Sequence, residues 1–537
     1  MAKGYLALVL HAHLPFVRHP EHERHLEERW LYEALLECYL PIVEALDRLR
    51  DGGVPYALTM SLTPPLAAML GDELLRGRFG AHLKRLEDLA EQEATRVGDD
   101  PRFAPIVAFY RAQLAGARVV WERHGGRVID ALVSHWDSGG LELLACSATH
   151  AYLPGMLPAP EGIRPQLELG MRGFEALTGR RPAGAWLAEC AYHPDLDDAL
   201  SQAGVKYTIL DSHGLENAEP RPPFGVHAPI LSPGGTAFFG RDPESSRVVW
   251  SRSEGYPGDV YYRDFYRDIG FDLDESELAG EVGPFGARVM TGLKYYRITG
   301  DTDHKEPYMP GEARARAWEH AGDFVRGRRA QVERLCESGA TAGTPVVVAP
   351  YDAELFGHWW FEGPWFLEAM FRRLAEEERA CPGVLEATTL GHYLAREPTC
   401  AEATPCASSW GAGGYGEVWV GPEAAWTWRH VHHATRWVKD LVVQHREVDG
   451  VRGQALDQLI RELLLLQSSD WNFILRTATS IGYAEARLRA HTHRLRHLAY
   501  LLDKAQLDAD DVAFIADVAT RDNLLAPLTS SQLRSVF

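Results

Sequence analysis

Six short apolar runs in this chain end alike, and that repetition narrows the choice of fold more than any other feature. YLALVLHAHLP, YALTMSLTPP, LELLACSATHAYLP, AGAWLAECAYHP, YTILDSHG and PVVVAPYDAELFGHWW each run as an apolar strand and turn at a polar or aromatic cluster. Amphipathic stretches such as LYEALLECYLPIVEALDRLR lie between them. Strands alternating with helices predict a parallel sheet made of βαβ crossovers. The His, Asp, Glu and Trp residues stand just past the C-terminal ends of the strands, where barrel folds build their active sites. The expected class is α/β, as a distorted (β/α) barrel.

Two stretches break the rhythm. Residues 70–140, with LLRGRFGAHLKRLEDLAEQEATRV and FYRAQLAGARVVWERHGG, carry helical periodicity and charge, which predicts a helical subdomain inserted into a barrel spanning 1–400. From about Pro405, past the glycine-rich SSWGAGGYGEVWVG, the helical period runs nearly to the end and predicts a C-terminal helical domain over 401–537. There is no internal repeat and no low-complexity tract.

Composition excludes some partners. Asp and Glu number 75 against 55 Lys and Arg, a net charge of -20, so the chain repels a phosphate backbone or an anionic membrane overall. No span approaches the roughly 20 apolar residues of a membrane helix, and the apolar run YLALVL near the start is too short for a signal-peptide core. The seven cysteines are scattered, with no CxxC pair, as expected for a reduced, cytoplasmic protein.

The chemistry concentrates at the strand ends. Glu189 follows a tryptophan-bearing strand beside Tyr192 and His193, and Asp352 and Glu354 follow VVVAPY. An acid leaving a core strand has either a function or an ion-pair partner, because an unpaired buried carboxylate is costly. Of Asp352 and Glu354, two apart, at most one is expected to face a pocket. Two carboxylates from different strands, in a cleft lined by tryptophan, suit glycoside chemistry: one attacks the anomeric carbon while the other protonates the leaving oxygen. Trp30, Trp250, Trp359, Trp360, Trp410 and Trp419 are the lining candidates, although most of the 15 tryptophans are expected in the core.

HAHLP (11–15), ACSATHAYLP (145–154), WLAECAYHP (186–194) and APYDAELFGHWW (349–360) resemble successive motifs of glycoside hydrolase family 57, and SSDWNF (468–473) resembles a segment of its glucan branching enzyme and α-amylase group. The likeness runs in order over most of the chain. It implies a (β/α)7 barrel, an inserted helical domain, a C-terminal helical domain contributing to the cleft, and retaining chemistry on α-1,4-glucans without a metal or other cofactor. Residue by residue, it implies Glu189 as nucleophile and Asp352 as general acid/base. His11, His13 and His150 become pocket histidines, Asp470 an acid brought in by the helical domain, and Trp30, Trp250, Trp410 and Trp419 glucan-stacking positions. Glu354 is then a supporting acid.

The resemblance leaves the acceptor open: a sugar 6-hydroxyl makes a branching enzyme, water an α-amylase. Long-loop branching enzymes of the family carry a lid tyrosine, whereas FGVHAPILSPGGTAFFGRD (224–242) has none, with Phe238 or Phe239 as the aromatic substitute. Branching with an appreciable hydrolytic share is therefore expected. Two rivals stand beside it. One is a metal-dependent deacetylase or amidohydrolase, since a His-x-His pair with His150 and a later Asp can bind a metal. The other is a glucan-binding protein without turnover.

Overall fold

Strands buried on both faces read as continuous apolar runs. β1 (Gly4–Ala12) and β2 (Leu58–Leu62) are buried throughout, β3 (Leu141–Cys146) and β8 (Val346–Asp352) nearly so. These four pair in parallel in the order β3-β2-β1-β8, with β4 (Ala185–Trp186) beside β3. β5 (Tyr207–Leu210) pairs in parallel with β7 (Ala237–Gly240), while β6 (Ile230–Leu231) lies antiparallel to β7. β9 (Leu385–Ala387) lies along β1, and β10 (Ala401–Glu402) along β6. The computed structural model describes residues 2–251, 254–278, 280–339 and 343–537.

Two single-residue parallel bridges close the ring, Gly184 to Tyr207 and Arg241 to Val348. The circuit β1-β2-β3-β4-β5-β7-β8 is thus a seven-stranded parallel barrel, distorted because two of its joints are one residue long. The interval 224–242, read from sequence as a loop over the cleft, supplies one strand of the barrel wall. It holds β6 and β7, and both Phe238 and Phe239 are fully buried there, so neither serves as a lid aromatic.

Between β2 and β3 the chain forms helices Glu73–Val97, Ala104–Arg123 and Val128–Asp137, in the predicted 70–140 stretch. Asp72 caps the first by accepting from the Leu75 N–H, and Leu75, Phe79, Leu83, Leu86 and Leu89 form its buried stripe. The sequence did not reveal a second long insertion between β7 and β8. Its residues 254–278 and 280–309 contain short turns rather than long elements, so no periodicity marks them. Buried charge holds this segment down: Arg263 pairs with Glu37 at 2.9 Å.

Glu37 lies in a π-helical turn, Leu35–Tyr39. Such turns are rare and often mark functional sites. Here the turn meets the segment after β8. Gly357 has φ +123, and a Cβ on it would stand 1.8 Å from the Glu37 carbonyl oxygen. Past Gly421, helices Ala425–Gln444, Gly450–Leu466, Ser469–Thr477, Ile481–Asp503 and Ala509–Arg521 form the C-terminal bundle around the buried Leu456, Leu459, Leu463 and Leu464. Gly357→Ala is expected to lower stability by roughly 2–4 kcal/mol, whereas Gly53→Ala, also at positive φ but with open space around it, should cost less. Paired urea unfolding curves measure the difference.

Candidate active site

The parallel register sets His11 level with Ser61 on β2 and with Asp352 on β8. The first site residues therefore come from three adjacent strand ends. Asp352 is the last residue of β8, and Ala353–Leu355 turns as a 3-10 helix, so strand alternation ends there. The strand period of two, which sets residues i and i+2 on one face, therefore does not carry past Asp352 to Glu354. Glu354 accepts from the His13 backbone N–H at 3.0 Å and from the Tyr39 hydroxyl, and its charge acts on Asp352.

Glu189 lies past β4 in a left-handed conformation, φ +67 and ψ 22, and Cys190 and His150 also have positive φ. Non-glycine residues occupy that region at a cost, and such strain gathers at functional sites. The Glu189 carboxylate accepts from the Trp410 indole N–H at 2.9 Å and from the Ser469 hydroxyl at 2.9 Å. Both donors come from beyond residue 400.

Ser469 also shares a 2.9 Å hydrogen bond with His150 Nδ1, His150 Nε2 one of 2.9 Å with His11 Nε2, and His11 Nδ1 one of 2.6 Å with Ser61. Burial, reinforced by the charge of His13, holds the pKa of both His11 and His150 well below the usual value, so both rings are neutral. Neutral rings carry one N–H each, and the Ser469 proton already points at Glu189, which fixes every direction. Ser61 donates to His11 Nδ1, His11 Nε2–H to His150 Nε2, His150 Nδ1–H to Ser469, and Ser469 to the carboxylate. One oriented chain of donors thus runs from β2 to Glu189.

His13 differs from these two rings. Burial opposes its charge, but Asp470 at 2.8 Å, with Glu189 and Glu354 nearby, outweighs burial and raises its pKa. Its Nδ1 bonds Thr63 at 2.9 Å. The two strand-end carboxyls sit in different environments. Burial pushes Glu189 up to about 7 against the two donated hydrogen bonds. Burial, Glu354 and Glu189 push Asp352 well above the carboxylate range, opposed only in part by Arg241 and His13. Both shifts favour the protonated form: two neighbouring carboxylates add to burial at Asp352, while two donated hydrogen bonds offset it at Glu189, and such differences of environment are what assign acid and nucleophile roles.

The aromatic candidates divide. Trp410 bonds Glu189 and stands 6.4 Å, centroid to centroid, from the exposed Trp250, beside a cleft of about 380 Å³ lined also by Asp211 and Arg241. Trp30 is half-buried against Tyr483, and Trp359 is exposed and stacked on Phe265. Trp360 is core, and so is Trp419: it is 2% exposed with Tyr152 stacked on its face, which corrects its reading as a stacking position. The sequence reading also missed Ser61, Thr63, Ser469 and Trp186, the last of which stacks on His11 at 4.6 Å. Ser469 lies inside SSDWNF, so its motif had marked the place without its role.

The sequence pattern described as glycosyl hydrolase family 57 matches residues 7–397. The chain belongs to this family. Residues 430–531 match a second pattern, 1,4-alpha-glucan branching enzyme, C-terminal. A 1,4-alpha-glucan branching enzyme of Thermococcus kodakarensis is 31% identical over 98% of this chain and 78% of its own. Among solved structures, the alpha-amylase AmyC of Thermotoga maritima superposes with a TM-score of 0.91 at 37% identity, covering 99% of both chains. A GH57-type branching enzyme of Pyrococcus horikoshii superposes with 0.86 at 31%, covering 99% of this chain and 97% of that one.

His13, His150 and Asp470 offer ligand atoms within 4.8 Å of one another, so this family 57 site contains part of the grouping that the metal rival requires, without His11 of the His-x-His pair. All four ring nitrogens of the two histidines already have hydrogen-bond partners, and an ion would have to displace some of them. Glu189→Gln keeps the shape of the site and removes its charge. With a folded pKa of about 7 against 4.5 unfolded, the folded state holds the extra proton between those values. Stability is lost as pH rises from 4.5 to 7, on the order of 3 kcal/mol in full above 7. The variant should lose activity at least about a thousandfold yet melt above wild type at pH 8, with the gap closing toward pH 4.5. Thermal melts at the two pH values check it.

Proposed function

We propose that this chain is a retaining α-1,4-glucan enzyme, a branching enzyme with an appreciable hydrolytic share, acting on an amylose- or glycogen-like polysaccharide. The observation that carries this reading is the pair of buried strand-end carboxyls, Glu189 and Asp352, both pushed up by burial, with Trp410 bonded to Glu189 and next to Trp250. In this mechanism Glu189 attacks the anomeric carbon while Asp352 gives its proton to the departing oxygen. Forming the ester removes the Glu189 charge that had helped hold the proton on Asp352. Asp352 then becomes the stronger acid, and its carboxylate can take the proton of the incoming acceptor. His11, His13, His150 and Asp470 line and orient the site.

In this reading the barrel over 1–400, its 70–140 insertion and the 401–537 helical domain act as one unit, since Trp410, Ser469 and Asp470 complete the pocket. None of the described helices is long and apolar enough to cross a membrane. The cysteines are all free, three of them buried, which suits a cytoplasmic setting.

Hydrolysis is the second reading, favoured by the likeness to AmyC and by the absence of a tyrosine from 224–242. Water competes with a sugar hydroxyl in proportion to its access to the ester. On amylose, the purified protein is expected to form α-1,6 points, read as new short chains after debranching, together with measurable reducing ends. Reducing ends without branch points would make it an amylase, and binding without either would make it a binding protein. EDTA is expected to leave the activity unchanged; loss restored by zinc would assign His13, His150 and Asp470 to a metal.

A further inference from the structure

Away from the catalytic cleft, helices Ala425–Gln444 and Ile481–Asp503 flank a pocket of about 610 Å³. Arg489, His493, Arg496 and Tyr500 follow one another at i, i+4, i+7 and i+11, so a single stripe of the second helix faces it. Trp426 and His430, four apart on the first helix, face them. Leu466 and Leu488 are apolar residues of the lining, which also includes Thr427, Thr492 and His497. No carboxylate lines this pocket, although the chain has 75 acidic residues against 55 basic ones.

The basic groups there are poorly neutralised. Arg489 has Glu485 at 3.2 Å, an exposed pair one helical turn away, while Arg496 has no ion-pair partner among the described residues. Two large rings stand open beside them, Trp426 at 37% and Tyr500 at 59% exposure. A neutral glucan has no use for a cationic stripe without acceptors. A phosphate uses both arginines, which bind its oxygens through paired N–H groups, and a ring attached to that phosphate can lie against the indole.

We propose that this pocket binds a phosphorylated small molecule, a sugar phosphate or a nucleoside phosphate, with the phosphate on Arg489 and Arg496 and the ring against Trp426. The site adjoins the catalytic machinery through short links. Leu466 is three residues before Ser469, and the Thr427 hydroxyl donates to Asn472 Oδ1 at 3.0 Å on the helix that begins with Ser469. The pocket is thus one hydrogen bond, Thr427 to Asn472, from the helix whose Ser469 orients Glu189.

Calorimetric titration of the full chain with orthophosphate, glucose 1-phosphate and ADP tests the proposal, with maltoheptaose as an uncharged competitor. Saturable binding of at least one phosphate compound is expected, weakening as KCl is raised and undisturbed by maltoheptaose. Arg489→Gln/Arg496→Gln should weaken it tenfold or more while leaving ligand-free activity on amylose unchanged. Trp426→Ala should weaken the ring-bearing compounds and spare orthophosphate; loss confined to ADP identifies a nucleoside, and loss confined to glucose 1-phosphate a sugar. The proposal is overturned by no saturable binding of any of the three up to about 10 mM, by affinity indifferent to both salt and the double substitution, or by displacement with maltoheptaose. The salt series uses only the wild-type protein, so it decides even if a variant misfolds.

Discussion

The Glu189 carboxylate is held by the indole N–H of Trp410 and the hydroxyl of Ser469, and neither donor belongs to the barrel strands. A carboxylate buried this deeply without donors would simply keep its proton. The two hydrogen bonds bring its ionisation back toward neutrality, so the charge state of the barrel's acid depends on the C-terminal bundle being docked. That docking is itself specific: Ala151 bridges to Ser468, the Ser469 N–H donates to the His150 carbonyl, and His19 meets Tyr483 at 2.9 Å.

The site separates charge with few formal ions. Asp470, Glu189 and Glu354 favour the charged form of His13, while two neighbouring histidines are kept neutral and serve as directed donors. A second buried group, Glu462, His491 and Asp522, lies within the bundle and has the spacing of a metal site. There Arg487 and Arg494 face Asp522 and balance its charge, so that group reads as an internal ion network beneath the Ser469–Thr477 helix.

The strand ends were legible because barrel chemistry leaves polar residues immediately after apolar runs. HAHLP, WLAECAYHP and APYDAELFGHWW placed His11, His13, Glu189 and Asp352 correctly at these ends. Partners that meet across hundreds of residues were not legible: nothing local in LTMSL says that Ser61 will face His11, and no spacing predicts that Tyr152 will cover Trp419. The interval 224–242 misled for a related reason. Its glycines and prolines read as loop, yet AFFG is a short barrel strand whose two phenylalanines are buried in the cores on its opposite faces. The second insertion escaped because irregular backbone pinned by buried ion pairs has no period to detect.

The two one-residue joints of the barrel have a mechanical consequence. A full ladder between strands resists separation with several hydrogen bonds, each worth about 1 kcal/mol net, whereas the joints at Gly184 and at Arg241 resist with far fewer. The wall carrying β5 and β7 is therefore a panel seated between two weak seams, and Arg241, at one seam, also faces the cleft that holds Trp250. The four strands β3, β2, β1 and β8, knitted by continuous ladders, keep His11 and Asp352 in register while the opposite side yields.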